Sequence, residues 1–223
     1  PNINNLAGVE ALEDLLRATQ FQHPSARTNG LFDNWREYAK GQCAVNIGWG
    51  GTQKYLNSET SKMKGRMLFA PTPQISYFNW GWNYVTSKLS AHKEIAYLFS
   101  LYATMAGPSQ IAVQNQTGFF DPFRESHYQD PKIEQSYSKE FLVAHKQAMK
   151  TAIPDFYLKG QGKYIQTLRE NITSAAEKEI SPKEALSFTA KQWEMITDEE
   201  GRDGQIEQWR FLKKQYPKHL NLK

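Results

Sequence analysis

The sequence predicts a mixed α/β fold in which helices outnumber strands. Apolar residues recur at helical spacing in the first segment (residues 6–16) and through the last third of the chain. Ser181–Glu184 combines an N-cap serine, a proline at the first helical position and a capping-box glutamate, which together mark a helix start. Residues 43–49 alternate between larger and smaller side chains, which predicts a strand. The fold is therefore predicted as α/β with a helix-rich C-terminal third.

Further elements follow from shorter patterns. A helix that starts near Trp35 is predicted to end at Gly41, because glycine tolerates a positive φ. Ser90 is the predicted N-cap of the next helix, and Gly107-Pro108 is predicted to mark its end or a sharp turn. The remaining predicted elements are helices around residues 95–103, 141–148, 164–175 and 186–196, and short strands at 67–70 and 83–86.

Composition excludes several classes of protein. The net charge of +4 is mild, and the basic residues interleave too weakly with aromatic ones to predict nucleic-acid binding. The longest apolar run, Ile95–Phe99, is far shorter than the ~20 residues of a membrane-spanning helix. With Cys43 as its one cysteine, the chain has no intrachain disulfide, CxxC pair or thiolate zinc cage. The neighbours of Cys43 predict a buried, inert thiol.

Catalytic signatures are not found in the sequence. The five histidines are scattered, form no HxxxH or HExxH pair and are predicted to lie on the surface. No GxSxG motif is present, and Gly160–Lys163 lacks the first glycine and the Ser/Thr of a phosphate-binding loop. We therefore predict no catalytic residue, no metal and no cofactor. Carboxylates are plentiful on the predicted helices, so a carboxylate-using carbohydrate hydrolase stays open as an alternative.

Aromatic residues beside turn glycines stand out from the background. Trp49 precedes Gly50-Gly51, and Trp80 and Trp82 flank Gly81. Aromatic faces at such positions can stack on the C–H faces of sugars, while nearby Asn and Gln side chains supply hydrogen bonds. Packing in the core is the alternative for each of these tryptophans.

The order of short motifs along the chain resembles family 1 extracellular solute-binding proteins, the maltose-binding-protein-like receptors of ABC importers. The longest similar run, 34–51, has the form of a short aromatic helix followed by K-G-x-x-A and a terminal tryptophan. The other similar pieces occur in the same order at residues 69–73, 80–99, 118–124, 126–131, 153–155, 162–164, 181–186, 193–197 and 201–205.

The resemblance implies a periplasmic-binding-protein type II fold. It covers the C-terminal portion of such receptors, which predicts that the chain is a fragment of a longer protein. Residues 1–77 and 125–223 would belong to the C-terminal lobe, and residues 78–124 would be the segment that crosses to the N-terminal lobe. A ligand would bind in the cleft between the lobes, and closure would produce the form that the permease recognises.

The same resemblance implies the site and the function. Trp49 would stack on the solute, Gly50 and Gly51 would let the backbone approach it, and Trp80, Trp82 and Asn83 would line the opposite side. Arg124 and Tyr157 complete the predicted ligand-binding set. The predicted protein is a monomeric periplasmic or extracellular receptor, free or lipid-anchored at full length. It delivers a carbohydrate or polyol to an ABC importer permease without making or breaking bonds. A non-catalytic protein-interaction module is the other alternative.

Overall fold

The computed structural model describes residues 2–47, 49–70, 78–79, 81–216 and 218. The chain divides into two compact units, one formed by Pro1–Gln22 with Pro154–Lys223 and the other by His23–Ile153. These boundaries differ from the predicted lobe boundaries at residues 77 and 124, whose assignment to lobes stays a prediction.

Helices dominate both units. The α-helices are α1 (Leu6–Ala18), α2 (Leu31–Ala39), α3 (Gln53–Leu56), α4 (Lys93–Thr104), α5 (Ala106–Gln114), α6 (Pro131–Tyr137), α7 (Lys139–Thr151), α8 (Gln161–Ala176), α9 (Pro182–Glu200) and α10 (Arg202–Lys213). Single 3₁₀ turns occupy Thr19–Phe21, Pro24–Arg27, Gly50–Thr52 and Glu125–Gln129. Two short strands, β1 (Phe78–Asn79) and β2 (Ile153–Pro154), pair in a two-stranded sheet.

The first unit is built on α1, α8 and α9. Its core contains Leu12, Ala175, Ala185 and Leu186. The capping box predicted at Ser181 is confirmed: Glu184 N donates to Ser181 Oγ at 3.2 Å, and Ser181 N donates to the Glu184 carboxylate at 2.9 Å. The N–H groups of the N-cap and of the third helical residue of α9 therefore have partners within the chain.

The second unit has its core where α5, α6 and α7 meet. Val113, Ile133, Tyr137 and Leu142 are buried there. The ammonium group of Lys54 on α3 is buried beside them, donating to the carbonyls of Val113 at 3.0 Å and Asn115 at 2.7 Å. Desolvation lowers the pKa of Lys54 to about 8, and the charge of Asp121 opposes that shift.

The helical part of the predicted fold is confirmed, whereas the predicted strands at 43–49, 67–70 and 83–86 are wrong within the described residues. A strand needs a hydrogen-bonded neighbour, and β1–β2 is the sheet pairing that the described part of the chain contains. The alternation at residues 43–49 does not correspond to a buried face, since Val45 and Ile47 are both exposed. Cys43 is half-buried rather than buried.

Three helix boundaries also differ from their predictions. The first is the start of α2, which lies at Leu31 rather than near Trp35. Ser90 accepts a hydrogen bond from His92 N at 3.1 Å, and α4 begins only at Lys93. Gly107-Pro108 lies in the first turn of α5, where proline is tolerated because its missing N–H would have no helical partner. Gly41 has the φ of +78° that its predicted role after α2 requires. None of the helices in the described ranges has the length and hydropathy of a bilayer-spanning segment.

Candidate functional site

Trp49 is held by a carboxylate from a distant part of the second unit. It directly precedes the 3₁₀ turn Gly50–Thr52, and its indole Nε1 donates to Asp121 Oδ2 at 2.5 Å. The other carboxylate oxygen, Oδ1, is buried without a hydrogen-bond partner among the described residues. Desolvation raises the pKa of Asp121 to about 6, against the opposing effects of the Trp49 hydrogen bond, the nearby Gly51 backbone and the Lys54 charge.

Aromatic rings from three segments gather around Trp49. The Phe32 and Trp35 rings on α2 meet edge to face at 5.2 Å, Trp35 lies 5.9 Å from Trp49, and Trp49 lies 5.8 Å from Phe119. The rings of Phe32 and Phe119 close the group at 5.3 Å. We call Phe32, Trp35, Trp49 and Phe119 the aromatic cluster. Trp35 is buried, whereas Phe32 is 46% exposed and Phe119 37% exposed, so the cluster presents ring surface to solvent.

The two glycines after Trp49 allow close approaches within the protein. A Cβ added to Gly51 would lie 2.1 Å from the carbonyl oxygen of Phe119, so this backbone position touches another backbone. A Cβ added to Gly50 would lie 2.6 Å from Asp121 Oδ1 and 3.1 Å from His145 Nε2. The Asp121 carboxylate and the His145 imidazole therefore both lie close to the Gly50 backbone.

His145 on α7 is kept neutral by its surroundings. Tyr128 Oη donates to the carbonyl of Pro122 at 3.1 Å and lies 2.9 Å from His145 Nδ1. The Tyr128 hydroxyl has one proton, so when it donates to Pro122 the imidazole proton lies on Nδ1 and Nε2, near Gly50, is an acceptor. Burial lowers the pKa of His145 to about 4. The prediction of surface histidines is wrong here and at His127, which is fully buried.

The remaining predicted site residues are not gathered in this cluster. Trp82 and Asn83 lie exposed in an irregular stretch, and Trp80 falls outside the described residues. The guanidinium of Arg124 donates to the carbonyl of Thr104 at the end of α4 and lies 5.8 Å over the Phe123 ring. Tyr157 belongs to the other compact unit and is partly exposed.

Sequence reasoning missed four participants: Phe32, Phe119, Asp121 and His145. Phe32 and Phe119 each stand within two positions of a glycine, Gly30 and Gly118 respectively. The pattern that singled out the tryptophans could therefore have found them as well. Asp121 and His145 carry no local signal, because their role depends on contacts with residues far away in the sequence. No three His, Cys, Asp or Glu side chains in the described ranges lie close enough together to hold a metal ion.

No family model matches the sequence, and no curated protein matches it. Among solved structures, the maltose-bound MalE3 of T. maritima matches with a TM-score of 0.73 at 19% sequence identity. The match covers 87% of this chain and 51% of that chain, so the protein spans about half the length of the structure that it resembles. At this level of identity the likeness shows the fold: the chain has the fold of part of a sugar-bound protein.

Proposed function

We propose that the chain is part of a solute-binding receptor that delivers a carbohydrate or polyol to an ABC importer, without making or breaking a bond in the solute. The observation that carries the proposal is the aromatic cluster, which presents two partly exposed rings on the fold shared with a maltose-bound protein. Periplasmic or extracellular location and the permease as partner belong to the same proposal.

The cluster has the chemistry that sugar binding needs. A pyranose or polyol has an apolar C–H face that gains from contact with an aromatic ring, and its hydroxyls require hydrogen-bond partners in the same pocket. Phe32 and Phe119 offer the accessible ring surface, and the buried Trp35 ring packs edge to face against Phe32. Among the predicted contacts, the Trp49 ring lies 5.8 Å from the Phe119 ring, Gly51 lies against the Phe119 carbonyl, and Gly50 lies against Asp121 and His145.

Asp121 acts in this proposal as a positioning residue. Its carboxylate orients the indole of Trp49 through the 2.5 Å hydrogen bond, and the backbone beside it supplies Phe119. The orientation of Trp49 and of Phe119 is therefore fixed by the same loop. Trp80, Trp82, Asn83, Arg124 and Tyr157 stay proposed ligand contacts outside the cluster.

Binding tests the proposal directly. We would measure thermal shift and titration calorimetry with maltose, maltotriose, sorbitol and glutamate, on this chain and on the product of its complete gene. We expect a sugar or polyol to raise the Tm, because a ligand that binds only the folded state stabilises it. Phe119→Ala should weaken binding at least about tenfold, equivalent to about 1.4 kcal/mol.

Two controls separate the possible outcomes. Trp209→Phe, in α10 of the other compact unit, should leave the affinity unchanged. The absence of a response to every sugar and polyol in both proteins would overturn the receptor proposal. Release of reducing sugar from maltotriose, in proportion to protein concentration, would instead favour the hydrolase.

A further inference from the structure

The positive charge of the chain is concentrated after residue 207. Residues 208–223 contain five Lys or Arg and no Asp or Glu. This leaves 22 of the 27 basic residues and all 23 acidic ones to residues 1–207, a balance of −1. The whole net charge of +4 therefore comes from one short segment, and a charge separated in this way indicates an anionic partner for that segment.

Helix α10 carries the first part of this charge on its solvent side. Gln205 and Leu212 are buried, whereas Arg210 and Lys214 are exposed. Arg210 and Lys214 stand four positions apart, so their side chains are neighbours on the helix surface. Phe211, which stands between them in the sequence, is 64% exposed. We call Arg210, Phe211 and Lys214 the basic–aromatic face.

The cations of the basic–aromatic face have no acidic partner among the described residues. At the start of the same helix, in contrast, Arg202 pairs with Glu194 at 2.6 Å and with Asp198 at 2.7 Å. Like charges one helical turn apart destabilise a helix, although basic residues in the last turn interact favourably with its dipole. The dipole does not account for an exposed phenylalanine between two cations, so the face has a composition that the stability of α10 does not explain.

Packing holds the end of α10 in place. The rings of Trp209 and Tyr216 meet at 5.8 Å, which brings the turn after the helix back against it. The Gln215 N–H donates to the carbonyl of Leu212 at 2.8 Å in the same turn. Lys214 is therefore positioned by the contacts of its neighbours, and its charge is available to a partner.

We infer that the basic–aromatic face binds the surface of a membrane that contains anionic phospholipid. Phosphate head groups would complement Arg210 and Lys214, and the ring of Phe211 would enter the boundary between head groups and acyl chains. An anionic polymer would neutralise the cations equally well but would leave Phe211 exposed to water. The face is small, so the binding should be reversible and should weaken as salt screens the charges. The inference does not depend on the proposed sugar site.

Vesicle binding tests the inference. We would measure co-sedimentation of this chain, and of the product of its complete gene, with vesicles of phosphatidylcholine with and without phosphatidylglycerol. Binding should require phosphatidylglycerol and should be lost when NaCl is raised from about 50 mM to about 500 mM. Arg210→Gln/Lys214→Gln should weaken it at least about tenfold, because each basic residue near an anionic surface contributes roughly fivefold. Phe211→Ala should weaken it at least about threefold.

A second double variant is the matched control. Arg169→Gln/Lys183→Gln removes the same two charges from exposed positions on α8 and α9 of the same compact unit, and should bind as wild type does. All four side chains are exposed, so urea denaturation should show both double variants to be folded. Contact of lipid with the exposed side chains of α4 would be retained equally in both double variants.

Three results would overturn the inference. The first is no binding to phosphatidylglycerol vesicles at low salt, or binding by this chain and not by the complete product. The second is equal binding by the two double variants. The third is binding to heparin as tight as to vesicles with no effect of Phe211→Ala on either, which would assign the face to an anionic polymer. Sugar binding enters none of these measurements, so the receptor proposal is tested separately.

Discussion

Around Trp49, aromatic rings from three segments of the chain pack on one another, whereas from Trp82 to the end of α4 large apolar side chains such as Ile95 and Leu98 lie in solvent. Both regions belong to the same compact unit, and both place tryptophan next to glycine. The two regions differ in the contacts that they make with residues distant in the sequence. Asp121 and Phe119 contact Trp49 although they are distant from it in the sequence. The large side chains of α4, in contrast, are exposed to solvent.

Truncating one tryptophan in each region should show the largest contrast. Trp35→Ala removes a buried side chain from the aromatic cluster and should cost about 3–5 kcal/mol of unfolding free energy, because it creates a cavity. Trp82→Ala, at a residue that is 83% exposed, should change stability by no more than about 0.5 kcal/mol. Urea denaturation of both variants checks the pair. Equal losses would mean that the two regions are packed alike.

The pH dependence of stability should reveal the half-buried side chains of Asp121 and His145. The pKa of His145 falls from 6.5 to about 4 on folding, so its contribution is present above pH 6.5 and is lost as the pH falls toward 4. The pKa of Asp121 rises from 3.8 to about 6, so its contribution is present below pH 3.8 and is lost as the pH rises toward 6. Between about pH 4 and 6, the effects of His145 and Asp121 on the pH dependence of the unfolding free energy have opposite signs and nearly cancel in the wild-type protein.

Substituting one of the two residues should reveal how the other changes the unfolding free energy with pH. Relative to wild type, Asp121→Asn should make stability rise by about 3 kcal/mol between pH 4 and 6.5, because the His145 contribution is left alone. His145→Gln should make stability fall over the same interval by a similar amount. Urea denaturation at several pH values measures both, and the double variant is the control in which neither slope remains. A curve for Asp121→Asn parallel to that of wild type would contradict the burial of these groups.

Two glycines offer a smaller test of the same contrast. Gly51→Ala should cost about 1–3 kcal/mol, because the added Cβ would meet the backbone of Phe119 and force it to shift. Gly81→Ala beside Trp82 should be close to neutral, since an added Cβ there meets nothing within 4 Å. Thermal or urea unfolding of the two variants compares them directly. A Gly51→Ala variant as stable as wild type would show that the close approach is not required.

Features set by neighbouring residues could be predicted from the sequence, and features set by distant ones could not. The start of α9 was predictable because Ser181, Pro182 and Glu184 define a cap within four positions. The strand at 43–49 was predicted wrongly because alternation says nothing about a hydrogen-bonded neighbour. Trp49 was singled out from the sequence, and its role stays a prediction; its partner Asp121 stands 72 positions away and could be found only in the folded chain. The likeness in fold was predictable from the order of many motifs rather than from any one of them.

The smallest effect on stability is expected at the exposed apolar side chains of α4. Leu98→Lys should alter the unfolding free energy of this chain by no more than about 0.5 kcal/mol, because the new charge stays in water. Ser100→Lys, on the half-buried side of the same helix, should cost about 1–3 kcal/mol by overpacking. Urea denaturation measures this difference, and binding of the dye ANS should fall only in the stable Leu98→Lys variant. Because both lysines stand on α4 two positions apart, a loss of stability at Leu98 equal to that at Ser100 could not come from helix propensity and would mean that the large side chains of α4 are already covered within this chain.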